Sequence, residues 1–197
     1  MRTLRSTYRS IGIAGLMAAF LTVSGCSETP LQSDQSSAPD SSGDVRLLTR
    51  TVAGKATVVD INALDADAWL TTSKFIEAET GGILWVGNWN VGYSIFYVPP
   101  GALRESTTIT MSISAYGPCA VRMEPSGLEF NRKTRLWLSY WGAEVDSRKE
   151  EAKLKLFYFN PATEGWELVS GSTADFSTLR VKANLRHFSL YAVGTNP

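Results

Sequence analysis

From about residue 75 onward, apolar and polar positions alternate. Ile109, Met111, Ile113 and Ala115 are interleaved with Thr110, Ser112 and Ser114. Leu136, Leu138 and Tyr140 are interleaved with Arg135, Trp137, Ser139 and Trp141, and Leu154, Leu156 and Tyr158 with Lys153, Lys155, Phe157 and Phe159. Leu179, Val181, Ala183 and Leu185 alternate with Arg180, Lys182, Asn184 and Arg186. A period of two turns successive side chains to opposite faces, so each run predicts a half-buried strand. Turn residues punctuate the runs: Gly81-Gly82, Pro99-Pro100-Gly101, Pro125-Ser126-Gly127 and Asn160-Pro161. No long segment of helical period intervenes. Short, evenly spaced strands predict an all-β fold, an antiparallel β-sandwich.

The first residues follow another pattern. Arg2, Arg5 and Arg9 precede an apolar run over residues 11–23, too short to span a bilayer comfortably and typical of a signal peptide. The run ends in Val23-Ser24-Gly25-Cys26, which resembles the lipobox of bacterial lipoproteins. That resemblance implies cleavage before Cys26, a diacylglyceryl group on its thiol and usually an acyl chain on the freed amine. Several chains, each worth about 0.8 kcal/mol per buried CH₂, anchor far better than one. Ser27 in place of aspartate favours the outer membrane of the cell envelope. The expected organisation is a signal peptide at 1–25, the lipidated Cys26 with a tether at 26–44, an extension at 45–74 and the sandwich at 75–197. The tether is rich in Ser, Asp, Pro and Gln, without aromatics, and reads as disordered with a reach of about 25 Å. Within the extension, residues 57–61 could be a strand and residues 64–70 a helical turn; the pattern decides neither.

Charge and cysteine content narrow the function classes. Nineteen basic residues match nineteen acidic ones; without Arg2, Arg5 and Arg9 the balance is about −3. Such a chain lacks the basic footprint of a nucleic-acid binder. With Cys26 lipidated, Cys119 has no partner for an intrachain disulfide and reads as a small buried hydrophobe. One histidine and no second free cysteine build no multi-His or zinc site, so neither metal nor cofactor is expected. No nucleophile elbow, P-loop or dinucleotide fingerprint is present.

Three segments together resemble the ZU-five domain of zonula occludens proteins, netrin receptors and ankyrins. They are Gly81-Gly82-Ile83-Leu84 followed by residues 93–103 (YSIFYVPPGAL), then residues 124–130 (EPSGLEF) leading into Leu136-Trp137-Leu138, and finally residues 187–193 (HFSLYAV). The resemblance runs from about residue 75 to 193. It implies a β-sandwich used for protein–protein contact.

It also implies a chemistry to weigh. In autoproteolytic members of that family the chain is cut between Phe and Ser of His-Phe-Ser. Here that bond is Phe188–Ser189, with Ser189 as nucleophile and His187, the only histidine, as base. The apolar phase is odd-numbered up to Leu185 and even-numbered at Phe188, Leu190 and Ala192, so a bulge or break between strands is expected near Arg186–His187. The alternative is that Phe188 simply anchors the last strand in the core. Cleavage would free only residues 189–197, which favours the alternative, and no catalytic role is expected.

A binding surface is the remaining candidate. If the strands near 135–141 and 153–159 pair as a hairpin across the charged tip Arg148-Lys149-Glu150-Glu151, one face carries Trp137, Trp141, Phe157 and Phe159 among Arg135, Lys153 and Lys155. Aromatic rings on a charged face suit a protein partner or stacked sugars, unless residues 45–70 cover them. Trp85 and Trp89 share a face if their strand is unbroken, though Gly87-Asn88 is a turn signal between them. The expected partners are therefore the membrane, through Cys26, and an envelope protein or glycan.

Overall fold

The computed structural model describes residues 45–51 and 60–196. Cys26, the signal peptide, the tether and most of the candidate strand at 57–61 lie outside them. Fourteen strands and one helical turn follow in order: β1 (Arg46–Leu47), β2 (Thr49–Arg50), β3 (Trp69–Ile76), β4 (Gly82–Asn88), β5 (Gly92–Val98), β6 (Thr107–Ser114), β7 (Gly117–Pro118), β8 (Ala120–Glu124), β9 (Glu129–Ser139), α1 (Arg148–Glu151), β10 (Lys155–Asn160), β11 (Gly165–Leu168), β12 (Thr173–Asp175), β13 (Arg180–His187) and β14 (Leu190–Thr195).

All pairings are antiparallel. One sheet runs β11-β10-β14-β8-β6-β3, with β1 on the far end of β14, and the other runs β12-β13-β9-β5-β4. The seven-stranded and five-stranded sheets pack into a sandwich. The inner positions of the alternating runs meet between them: Ile109, Met111, Ile113, Val121, Met123, Leu156 and Val193 from the first sheet, Leu84, Phe96, Leu136, Leu138, Val181 and Leu185 from the second, all nearly inaccessible to water. Burying such side chains contributes roughly 1.5–3 kcal/mol each, which makes the period-two pattern the main determinant of the fold.

The turn residues act as their chemistry requires. Gly81 adopts φ 69°, and a Cβ there would collide with the Val98 carbonyl, so β4 can open beside the end of β5 only on a glycine. Pro99 follows the last residue of β5, where the ladder no longer needs a donor.

Two expectations change. The strands at 135–141 and 153–159 are not a hairpin. β9 pairs with β13 and β5, whereas β10 pairs with β11 and β14 in the opposite sheet. Residues 140–154 form an arch across the sandwich, far longer than a hairpin loop. The tip is also not fully solvated. Ser147 caps α1 through the Glu150 N–H (3.3 Å), and Glu151 turns inward to accept the Tyr140 hydroxyl at 2.7 Å. Burial, then this bond to the carboxylate, pushes the Tyr140 phenol well above its usual range.

The described residues of the 45–74 extension, 45–51 and 60–74, are part of the sandwich. β3 begins at Trp69, where Leu70, Thr72 and Ile76 face inward, and 3-10 turns over Ile61–Ala63 and Ala66–Ala68 precede it. β1 extends the seven-stranded sheet and β2 pairs with β7. Arg50 locks this segment in place. It is 1% exposed, and its guanidinium donates to the carbonyls of Trp141 (2.9 Å), Ser114 (2.8 Å) and Ser139. Ser114 belongs to one sheet and Ser139 to the other, so one cation bridges both layers.

Candidate binding face

The outer faces of the two sheets differ. On the seven-stranded sheet, Phe157, Ala192 and Ala120 stand in one row. Ile61 is buried against Ala120 and Ala192, with Leu47, Leu64, Trp69, Trp166 and Leu190 around them. The Arg122 guanidinium lies 4.6 Å over the Trp69 ring. Residues 60–69 thus cover much of this face. Phe157 is 1% exposed, and Phe159 is half-buried, its ring edge-on to Trp166 at 5.6 Å.

On the five-stranded sheet no described segment covers the outer face. Trp85 on β4, Ile95 on β5, Trp137 on β9 and Lys182 on β13 are successive partners across four strands. The next row is Ile83, Tyr97, Arg135 and Asn184. Trp85 is 62% exposed and Trp89 88%. β4 runs unbroken through Asn88, Trp89 opens the hairpin turn, and both indoles pack edge-on against Tyr93, at 5.6 and 6.3 Å, so they share the face. Gly92 closes the hairpin into β5 at φ 69°, a conformation other residues rarely adopt. The Arg135 guanidinium lies 5.5 Å over the Trp137 ring. An open depression of about 370 Å³ runs between Ile83, Tyr97, Trp137 and Arg180.

The four aromatics read as one patch therefore separate. Trp137 is on the open face, half-buried, and Trp141 follows β9 in the same phase, with its Cβ against Gly92. Phe157 and Phe159 belong to the covered face of the other sheet. The wider apolar surface of Ile83, Trp85, Trp89, Tyr93, Ile95 and Tyr97 is not among the predicted binding residues, apart from the shared face weighed for Trp85 and Trp89. Strands with apolar side chains on both faces hide the polar alternation that marks an outer face. The usable signal was Trp85 and Trp89 beside the hairpin turn.

The second candidate is the crossover between sheets at His187-Phe188-Ser189. A register shift between Leu185 and His187 stands where the apolar phase switches. Phe188 is 2% exposed and packs between Phe96 (5.5 Å) and Phe130 (5.0 Å). Its carbonyl oxygen lies 3.3 Å from His187 Nδ1 and accepts the Gly127 N–H at 3.4 Å. The Ser189 hydroxyl donates instead to the Phe159 carbonyl (3.0 Å). His187 is flanked by Tyr158 and Tyr191, and the Tyr191 hydroxyl donates to the His187 carbonyl at 2.5 Å. The histidine nitrogen thus faces the carbonyl that would be attacked, not the hydroxyl that would attack it.

Cys119 is fully buried and unbonded to another cysteine. Burial pushes its thiol up and keeps it protonated and unreactive, an effect that the nearby Arg50 cation only partly offsets. Comparison with protein-family models and with curated proteins found no match to this chain.

Proposed function

We propose that this chain is a lipid-anchored protein of a bacterial cell envelope, held by acyl chains on Cys26, whose β-sandwich is a non-catalytic binding module acting through the outer face of the five-stranded sheet. The observation that carries this reading is the contiguous, uncovered aromatic surface built on Trp85, Trp89, Tyr93 and Trp137. Large apolar side chains left bare on one sheet, while residues 60–69 shield the other, fit a surface kept free for a partner. The resemblance to the ZU-five domain supports a contact role for the sandwich, and the lipobox-like segment supports the anchor.

Hydroxyl-radical footprinting in native envelopes tests the face. Trp85 and Trp89 are expected to oxidise at least fivefold more slowly in the envelope than in the purified protein. Equal rates would remove the binding reading. The intact mass of the protein from membranes tests the anchor. A species beginning at acylated Cys26 is expected, and an unacylated species would overturn it.

Self-cleavage at Phe188–Ser189 is the second reading, favoured by the approach of His187 Nδ1 and the Gly127 N–H to the Phe188 carbonyl. It requires the Ser189 hydroxyl to leave the Phe159 carbonyl. The same mass measurement decides it: a species ending at Phe188 and abolished by Ser189→Ala would establish it.

A further inference from the structure

We infer that the occupant of the open face is a β-linked glycan strand carrying carboxylates, an inference that rests on the binding-module reading above. Two observations converge on it.

The first is ring placement. Trp85, Ile95 and Trp137 are direct partners on β4, β5 and β9. Neighbouring strands lie about 4.8 Å apart, so the two indoles are anchored about 10 Å apart across the sheet. That spacing is close to the repeat of a disaccharide in an extended β-linked glycan. A sugar presents a flat apolar face of C–H groups that stacks on an indole, and rings one disaccharide apart can hold alternate sugars of one strand. Tyr93, Tyr97 and Ile95 fill the floor between and beside them.

The second is charge. The chain without its N-terminal arginines is slightly acidic, but this face is basic. The side chains that alternate with the core positions of β9 and β13 include Lys133, Arg135, Arg180, Lys182 and Arg186. Two carboxylates lie near them. Glu129 is paired with Arg104 (3.6 Å), and Asp175, which lines the depression, accepts from the Ser177 hydroxyl (2.7 Å) and keeps its charge, so the five cations remain in excess on this face. Arg180 donates its Nε–H to the Tyr93 carbonyl at 2.7 Å, which fixes its position beside the aromatic floor. Lys182 is next to Trp137 in the same row, with Arg135 over the Trp137 ring. Cations bracketing a stacking ring suit a sugar that bears an acidic substituent. A neutral glycan would need no such bracket, and nucleic acid would need a longer basic track.

The test is co-sedimentation of the full-length, detergent-solubilised lipoprotein with peptidoglycan sacculi pretreated with protease. Chitin serves as a β-linked glycan without carboxylates. Sacculi are expected to retain the protein at least tenfold better than chitin, with retention falling as salt rises. Trp85→Ala with Trp137→Ala, and separately Arg135→Gln with Lys182→Gln, are each expected to weaken retention at least tenfold. Trp85→Ala with Trp89→Ala, both highly exposed, gives a variant whose folding is not at risk and is expected to weaken it at least threefold. No sedimentation, equal retention on chitin, unchanged retention of the exposed double variant, or binding only to sacculi that keep their attached proteins would each overturn the acidic glycan. Equal retention on chitin would make the occupant a neutral glycan; in the other cases, continued protection of Trp85 and Trp89 in native envelopes would leave the binding module standing with a protein partner. Loss of that protection as well would remove both.

Discussion

The outer faces of the two sheets carry similar side chains and meet opposite fates. On the seven-stranded sheet Ala120, Ala192, Trp166 and Leu190 pack under Ile61, Leu64 and Trp69, with Ile61 nearly inaccessible at 6%, and Phe157 in the same row as Ala120 and Ala192 is 1% exposed. On the five-stranded sheet Trp85, Trp89 and Ile83 stay at 50% exposure or more. Burial of the first set contributes to stability, because water leaves both the roof and the sheet. The second set contributes little while it remains wet. Its apolar area is released from water only when something else covers it. The comparison separates aromatics that hold the fold from aromatics available to a ligand.

The sharpest way to break this distinction is to truncate one ring on each face. Phe157→Ala is expected to lower stability by about 3–5 kcal/mol, as removal of a buried phenyl group does. Trp137→Ala, which leaves a half-exposed site, is expected to cost about 1 kcal/mol. Urea denaturation midpoints measure both, and equal losses would mean the open face is also a structural one.

The roof depends on the strap that leads to it. Arg50→Ala would leave carbonyls of Ser114, Ser139 and Trp141 without their donor inside the protein. Each orphaned buried acceptor costs roughly 1–3 kcal/mol, so a total loss of at least about 3 kcal/mol is expected. Hydrogen exchange should then show residues 45–51 opening before the β9 strand.

A smaller contrast compares the roof with the bare rim. Ile61→Ala is expected to cost about 2 kcal/mol and to raise the binding of an apolar dye, since it uncovers Ala120 and Ala192. Trp89→Ser, at a site 88% exposed, is expected to change stability by no more than about 0.5 kcal/mol.

The smallest effect concerns the carboxylate beside the open face. Hydrogen bonds, first from the Ser177 hydroxyl, hold the Asp175 carboxyl below its ordinary range. A folded-state value below the unfolded one contributes stability above the ordinary carboxylate range, which is lost as pH falls through the folded value. Asp175→Asn is expected to lower stability slightly at neutral pH and to flatten the acid side of the profile, so that the two proteins converge below the folded value, as thermal melts across pH would show.

Much of this architecture was legible from residue order. Alternation around Ile109–Ile113, Leu136–Leu138 and Val181–Leu185 identified the inner faces, because a strand turns successive side chains to opposite sides whatever its partners. Gly81 and Pro99 marked strand ends through backbone chemistry local to each residue. The switch of apolar phase before Phe188 located the crossover between sheets for the same reason. Each of these is a property of a few neighbouring residues.

Partner choice is not such a property, and there the reading failed. Two strands with compatible alternation, β9 and β10, look like a hairpin in sequence, but the arch of residues 140–154 sends them to opposite layers. Which sheet a strand joins depends on all strands competing for its edges. Exposure of an aromatic is also not written in its own neighbourhood. Phe157 and Trp137 both sit on outer faces of their sheets, yet Phe157 is 1% exposed and Trp137 half-buried, and the segment that packs over the outer face of the first sheet, residues 60–69, is distant in sequence from both. The sequence by itself determined where the strands run and which side chains point inward. The tertiary structure alone decided which outer face is covered, because covering a face requires a segment that no local pattern can position.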